Sequence, residues 1–382
     1  MTHLIEQARS KQPSRLVGVG ATLWPMVLAV AVGLLMYLLV GPAIGQFQSK
    51  ILLVIGINII LAVSLTVVNG FTGQFSMGHA AFMAIGGYVA AGVVYYGSLK
   101  LFGDMNFAGG RLSHVGAADF VGPLIGKGDF LFLAATLAGG LFAALAGWVV
   151  GLPSLRLRGD YLAIVTLGFG EIVRVLLQGT QSQIQPWEAA SLGKDAPVWK
   201  LPLMLGGPQG FNLLPTYTTL YWVWLWVVLT LVVVYRLKNS SEGRAFLSVR
   251  EDEIAAQAMG VNVTSYKVRA FTLASFFAGV AGALFAMDIG AINPTDGGFQ
   301  RSFDIIIMVV LGGLGSISGA VVAAIVITLL PEVLRDLAQY RLILYALALI
   351  LMMILRPQGL FGVREVWDLA LFKKIFRRGG DA

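Results

Sequence analysis

Polar residues punctuate this chain at long intervals, and the stretches between them are apolar and long. A helix needs roughly 20 mostly apolar residues to cross a bilayer. Segment 17–45 carries no charge and meets that length. Its basic lead, Arg9, Lys11 and Arg15, has the look of a secretory leader. The apolar run exceeds the about 7–15 residues of a leader's core, and no small-residue cleavage site follows it. It reads as a retained first helix with Pro25 near its start. Segment 51–99 holds no Asp, Glu, Lys or Arg, enough for two helices broken at Asn69-Gly70-Phe71-Thr72-Gly73-Gln74. Segments 130–155, 161–178, 218–235 and 270–287 supply four more, with Glu171 and Arg174 inside the second of these. Segment 305–331 is charge-free but cut by Gly312-Gly313-Leu314-Gly315, so it is one long helix or two short passes. Segment 342–355 is the last crossing.

Charge arbitrates between those counts. Loops on the cytoplasmic side of a membrane carry the excess of Lys and Arg. If the N-terminus is cytoplasmic and 305–331 crosses twice, most of the 27 basic residues fall inside, including the basic C-terminal tail. The expected architecture is an all-α, polytopic transmembrane helical bundle of about ten passes, with both termini in the cytoplasm. Residues 1–16 form a tail, 17–356 the membrane domain and 357–382 a second tail, and a cytoplasmic loop spans 239–267.

Composition agrees and excludes other classes. The 382 residues are 57% hydrophobic and 12% charged, with mean hydropathy +0.80. A soluble domain carries about 25% charged residues, so too little polar surface remains here to coat one. Zero cysteines exclude a disulfide framework, thiolate catalysis and Cys-ligated metal. The net charge of +7 is first an orientation signal, and nothing in it calls for nucleic acid.

Lipid supplies no hydrophobic force between helices, so close backbone approach must bring them together. Small residues recur every four positions in two spans: Gly139, Ala143, Gly147 and Gly151, then Ala274, Ala278, Gly282 and Ala286. Each set forms one helix face and predicts a packing seam, although 47 glycines make chance a competitor.

Chemistry-bearing motifs are scarce. No G-x-x-x-x-G-K-[ST] phosphate loop occurs, so the chain hydrolyses no ATP by that route. Gly312 to Ser316 sits between apolar runs rather than after a strand, and reads as a membrane turn or a broken helix. His3, His79 and His114 are too scattered for a metal site, and no cofactor, metal or catalytic constellation is expected.

The informative stretch is NSSEGRAFLSVREDEIAAQAMGVNVTSYK, residues 239–267. Residues 244–259 have helical composition, Leu247, Ile254, Ala258 and Val261 fall near one face, and Gly260 stands where a helix stops. Periodicity leaves two readings open: a solvated loop helix, or an amphipathic helix that docks into a partner's groove.

Here the residues carry a resemblance. Glu253-Ile254-Ala255-Ala256-Gln257-Ala258-Met259-Gly260 resembles the EAA-x-x-x-G loop of ABC importer permeases. Its setting resembles the branched-chain amino acid permease family, LivM type. The segment from Gly73-Gln74-Phe75-Ser76-Met77-Gly78-His79 to Phe82 is similar to another signature of that family. So are the segment from Arg158-Gly159-Asp160-Tyr161 to Ile172 and the Gly312–Ser316 run. Residues 100–129 and 181–215 look longer than compact members need, and read as extracytoplasmic insertions.

The resemblance implies the non-catalytic permease subunit of a bacterial inner-membrane importer. Its partners would be a second, homologous permease subunit, two ABC ATPase subunits and a periplasmic amino-acid-binding protein. It implies that Arg250, Glu253, Ala255, Ala256 and Gly260 form the ATPase-coupling motif. The alanines would allow close approach, Glu253 and Arg250 would offer rim contacts, and Gly260 would turn the backbone. A branched-chain amino acid is a zwitterion with an apolar side chain, and ends of interrupted helices can meet its charges. Gln74, Ser76 and His79 are then candidate path residues, with plain hydrogen bonding between helices as the competing role. Glu171 and Arg174, three residues apart, are expected to pair. A permease for urea or another small amide stays open within the family. An ion-coupled secondary transporter would need intramembrane acids, for which only Glu171 is a candidate, and a membrane enzyme would need clustered His or acidic residues.

Overall fold

The computed structural model describes residues 15–103, 107–114, 122–154, 160–185 and 198–335, and scattered positions between 340 and 365. The first 14 residues, Arg156, Arg158, the basic tail from 366 on and most of the expected crossing at 342–355 lie outside the described residues.

The described residues form helices and no strand; one isolated antiparallel bridge pairs Phe211 with Ile292. Helix α1 is Arg15–Leu35, continuing through a π turn to Ala43. Helix α2 is Gln46–Leu65, running into a second π turn, Thr66–Phe71. Then follow α3 His79–Phe102, α4 Lys127–Ser154, α5 Asp160–Gln178 and α6 Leu220–Lys238. Two short helices, α7 Ser241–Glu251 and α8 Glu253–Ala258, precede the long α9 Val263–Ile289. Helices α10 Phe299–Gly312 and α11 Ile317–Val333 come last. Among the described residues, seven helices are long and apolar enough to cross a membrane: α1 to α6 and α9. The run at 305–331 divides between α10 and α11 through Gly313 and Gly315, both at positive φ, so the chain turns back on itself there. A polytopic all-α protein is the result.

Helices α2, α3 and α9 are buried, while α1, α4 and α5 present Leu, Phe, Val and Ile outward. An apolar outer surface is unfavourable in water and suits hydrocarbon. The small-residue ladder of α4 meets α9 at Ser275 and Gly279, one position off the predicted α9 face, whose Gly282 turns instead to α3. Gly147 faces Ser275 and Ala143 faces Gly279, so α4 and α9 run antiparallel in contact. On its other side α9 meets α3, where a Cβ at Gly282 would overlap the Met83 carbonyl oxygen.

Two expectations need correction. The break in 51–99 falls later than Asn69–Gln74: the helical path persists through Phe71, and the irregular segment is 72–78. The single helix expected over 244–259 is two. Asp252 is extended (φ −157°, ψ 113°), and its carboxylate accepts hydrogen bonds from the amides of Ile254 at 2.8 Å and Ala255 at 3.1 Å. Asp is a strong N-cap because its oxygen satisfies orphan amides of the first turn, and that local gain overrides the 3.6-residue apolar period. The buried set is consequently Val249, Ala256 and Val263, with Val261 against them, while Ile254 and Ala258 face outward.

The described parts of 100–129 and 181–215 pack as a cap over the end of the bundle that carries Lys50. Asp129 accepts from the amides of Gly110 and Gly126, Gln183 exchanges hydrogen bonds with Asn212, and Trp222 donates to Ser113.

Candidate functional site

The opposite end of the bundle gathers the interrupted elements. Helix α2 ends in the turn at Thr66–Phe71, segment 72–78 returns irregularly, and α3 starts at His79 with no side-chain cap. The α10–α11 turn lies against it: a Cβ on Gly70 would stand 2.6 Å from the amide nitrogen of Gly315. Only backbones without side chains approach so closely. π turns inside helices and broken membrane helices are characteristic of places where a helix must shift or meet a ligand.

The three candidate path residues differ. His79 is 2% exposed and its Nε2 lies 2.9 Å from the Ser64 hydroxyl, so it ties α3 to α2. Gln74 and Ser76 are 5% and 1% exposed, and neither amide atom of Gln74 nor the Ser76 hydroxyl has a hydrogen-bond partner. Asn69, not singled out from sequence, belongs with them. Its Oδ1 accepts from the Ser76 amide at 3.2 Å, and its Nδ2 is unpartnered. Buried polar atoms are almost always hydrogen-bonded. Three neighbouring buried residues, Asn69, Gln74 and Ser76, thus hold both donors and acceptors that no protein group meets among the described residues.

The candidate coupling residues also divide. Arg250 donates from Nη1 to the Gly70 carbonyl at 2.9 Å. Glu253 accepts from Lys267 Nζ at 2.5 Å. Ala256 is buried beneath α8, and Ala255 is exposed. Gly260 has φ +84° and donates its amide to Gln257, a left-handed stop after α8 with open space around it. The outward face of α8 carries Ile254 at 68% and the following Met259 at 85% exposure, two apolar side chains with no cover. Ile254 belongs to the apolar face read from the sequence, whereas Met259 was not placed on it.

Two further charged residues hold the α10–α11 turn. Lys238, at the end of α6, donates to the Gly315 carbonyl at 3.0 Å and to Glu365 at 2.5 Å. Glu365, 4% exposed, also accepts from the amides of Ile317 and Ser318 and from the Ser318 hydroxyl. Burial would raise its pKa, yet the hydrogen bonds from Lys238, Ser318 and Ile317 hold it below the usual carboxylate range. Elsewhere Glu171 pairs with Arg174 at 2.7 Å, and Lys50 with Asp288 at 2.5 Å. Among the described residues no group of His, Cys, Asp or Glu is placed to hold a metal.

Comparison with known proteins bears on this geometry. The family described as branched-chain amino acid transport system / permease component matches residues 47–356, which spans every element above except α1. The chain belongs to this family. Among its relatives, the high-affinity branched-chain amino acid transport system permease protein LivM of Salmonella typhimurium is 33% identical over 338 residues, 80% of this chain and 67% of that one. LivM of Escherichia coli is 34% identical over the same length. A probable LivM of Methanocaldococcus jannaschii is 26% identical over 369 residues, covering 98% of its own chain. The LivH permease of Escherichia coli is 23% identical over 312 residues. No solved structure matches this chain.

Proposed function

We propose that this permease forms half of the translocation path of an ATP-driven importer for leucine, isoleucine and valine. The observation that carries the reading is the match of residues 47–356 to the permease family, together with relatives named for that transport system. The partners are a second, homologous permease subunit, two ABC ATPase subunits and a periplasmic amino-acid-binding protein. ATP is hydrolysed by the ATPase subunits, and this chain catalyses nothing. The protein lies in the bacterial inner membrane with both termini and 239–267 in the cytoplasm; 17–356 is the membrane domain.

In this reading the exposed Ile254 and Met259 meet the ATPase, and the packing of Ala256 and the turn at Gly260 give α8 its shape. Segment 69–78 lines the path. A zwitterion's carboxylate takes hydrogen bonds from Ser76, Asn69 and Gln74 donors, and the Gln74 carbonyl accepts from its ammonium, which the vacant hydrogen-bonding positions support. His79 holds the wall of the path through Ser64.

The test is reconstitution of the permease pair, the ATPases and the binding protein in vesicles. Uptake of radiolabelled leucine should require ATP, and isoleucine and valine should compete. Competition by urea alone would move the chain to the small-amide branch. Uptake driven by a proton or sodium gradient without ATPases would end the importer reading.

A further inference from the structure

Arg250, in the candidate coupling segment, touches both interrupted elements. It lies in the last turn of α7, just before the extended Asp252 that separates α7 from α8. Its guanidinium donates to the Gly70 carbonyl at 2.9 Å, an end-of-helix carbonyl of the kind left without an intrahelical partner. The same Nη1 lies 2.9 Å from where a Cβ of Gly315 would stand, and the Arg250 stem packs 3.1 Å from the corresponding position of Gly73. Gly70 and Gly315 themselves meet backbone to backbone. One side chain from the coupling segment is thus seated on the crossing of the α2 end, the 72–78 segment and the α10–α11 turn. Lys238 grips the same turn at the Gly315 carbonyl.

We propose that Arg250 is a positioning residue that transmits displacement of α7–α8 to the crossing of Gly70 and Gly315, and so to the path segment 72–78. This rests on the reading of 241–260 as the ATPase-facing segment. The guanidinium suits this role. It is always charged, and its fixed fork can hold a carbonyl while its stem fills the space left by glycine side chains. A rim contact with an ATPase would instead leave the arginine pointing outward, where Ile254 and Met259 point. Displacement of α7 together with α8 drags or releases Arg250, and the hydrogen bond to the Gly70 carbonyl is what it breaks or makes.

The experiment measures leucine moved per ATP hydrolysed in reconstituted complexes carrying Arg250→Ala or Arg250→Lys. Arg250→Ala should assemble with the ATPases and hydrolyse ATP, with unchanged half-saturation for the binding protein, while leucine moved per ATP falls roughly tenfold, within the usual range for a coupling free energy. Arg250→Lys should recover part of that loss, because a lysine keeps the charge but not the fork. Loss of the ATPases from the Arg250→Ala complex would make Arg250 a docking residue and overturn the inference while leaving the importer reading intact. Wild-type coupling in Arg250→Lys and Arg250→Ala alike would also overturn it, and if Arg250→Ala fails to accumulate, wild-type coupling in Arg250→Lys suffices. Absence of ATP-driven uptake by the wild-type complex would remove the importer reading, and this inference with it.

Discussion

The Glu253–Lys267 ion pair permits a prediction with an internal sign. The two side chains are 2.5 Å apart but unequally covered: Lys267 is 4% exposed and Glu253 is 29% exposed. Removing one member of a buried pair costs about 3–5 kcal/mol, because the other charge is left uncompensated. The cost depends on which one is left. Glu253→Gln strands the ammonium in a dry position, while the amide oxygen still accepts one hydrogen bond, which places the loss near the lower end, about 2–3 kcal/mol. It also removes a negative charge from the first turn of α8, worth a further ~0.3–1 kcal/mol. Lys267→Met removes the buried partner of a carboxylate that water already reaches, and the methionine fills much the same volume, so the loss is about 1 kcal/mol. The double substitution should be more stable than Glu253→Gln alone. The assay is thermal unfolding of the detergent-solubilised permease, followed by fluorescence of its eight tryptophans at neutral pH. If Lys267→Met proves as damaging as Glu253→Gln, or if the two losses simply add, the burial argument is wrong.

Further outcomes follow from the same contacts. Gly282→Val should destabilise the bundle by at least ~1–3 kcal/mol, the range for overpacking, because its Cβ meets the Met83 carbonyl rather than a movable side chain; lowered yield and melting temperature check it. Glu365→Gln should cost ~1.5–3 kcal/mol near neutrality, as a charge-assisted network is lost. Because the folded pKa of Glu365 lies below its ordinary value of 4.5, its contribution is complete above that value and disappears as pH falls through the folded pKa. Acid titration of stability should therefore be flatter in the Gln variant, and an unchanged profile would contradict this. Ile254→Asp with Met259→Asp should leave unfolding within about 0.5 kcal/mol of wild type, since both side chains are exposed, while ATPase co-purification falls. Gly260→Pro should abolish that co-purification too: φ of +84° is closed to proline, and the hydrogen bond from the Gly260 amide to the Gln257 carbonyl is lost. Recovery of an intact complex from this variant would count against the docking role of α8.

Much of the architecture was legible in the sequence, for a physical reason. In a bilayer every backbone amide must be satisfied within its own segment, so uninterrupted apolar length translates directly into helix. The spans of α1 to α6 and α9 follow from that constraint alone, and the four-residue repeat of small side chains that sets Ala143 and Gly147 against α9 is legible as one helix face. The turn at Gly313–Ser316 was likewise announced by its glycines. Local competition was less visible: Asp252 splits the coupling helix because capping two amides outweighs an apolar period, and Ile254 then faces out. What no linear pattern contains is the meeting of distant parts. Arg250 lies 180 residues beyond the Gly70 carbonyl it holds, and Asp288 lies 238 residues beyond Lys50. Only the packing of α2 against α9 and α10–α11 brings these groups together, with Gly315 beside the first pair. From sequence Arg250 reads as a rim residue and Lys50 and Asp288 are not singled out, because their value depends on which carbonyl or carboxylate the tertiary fold sets beside them.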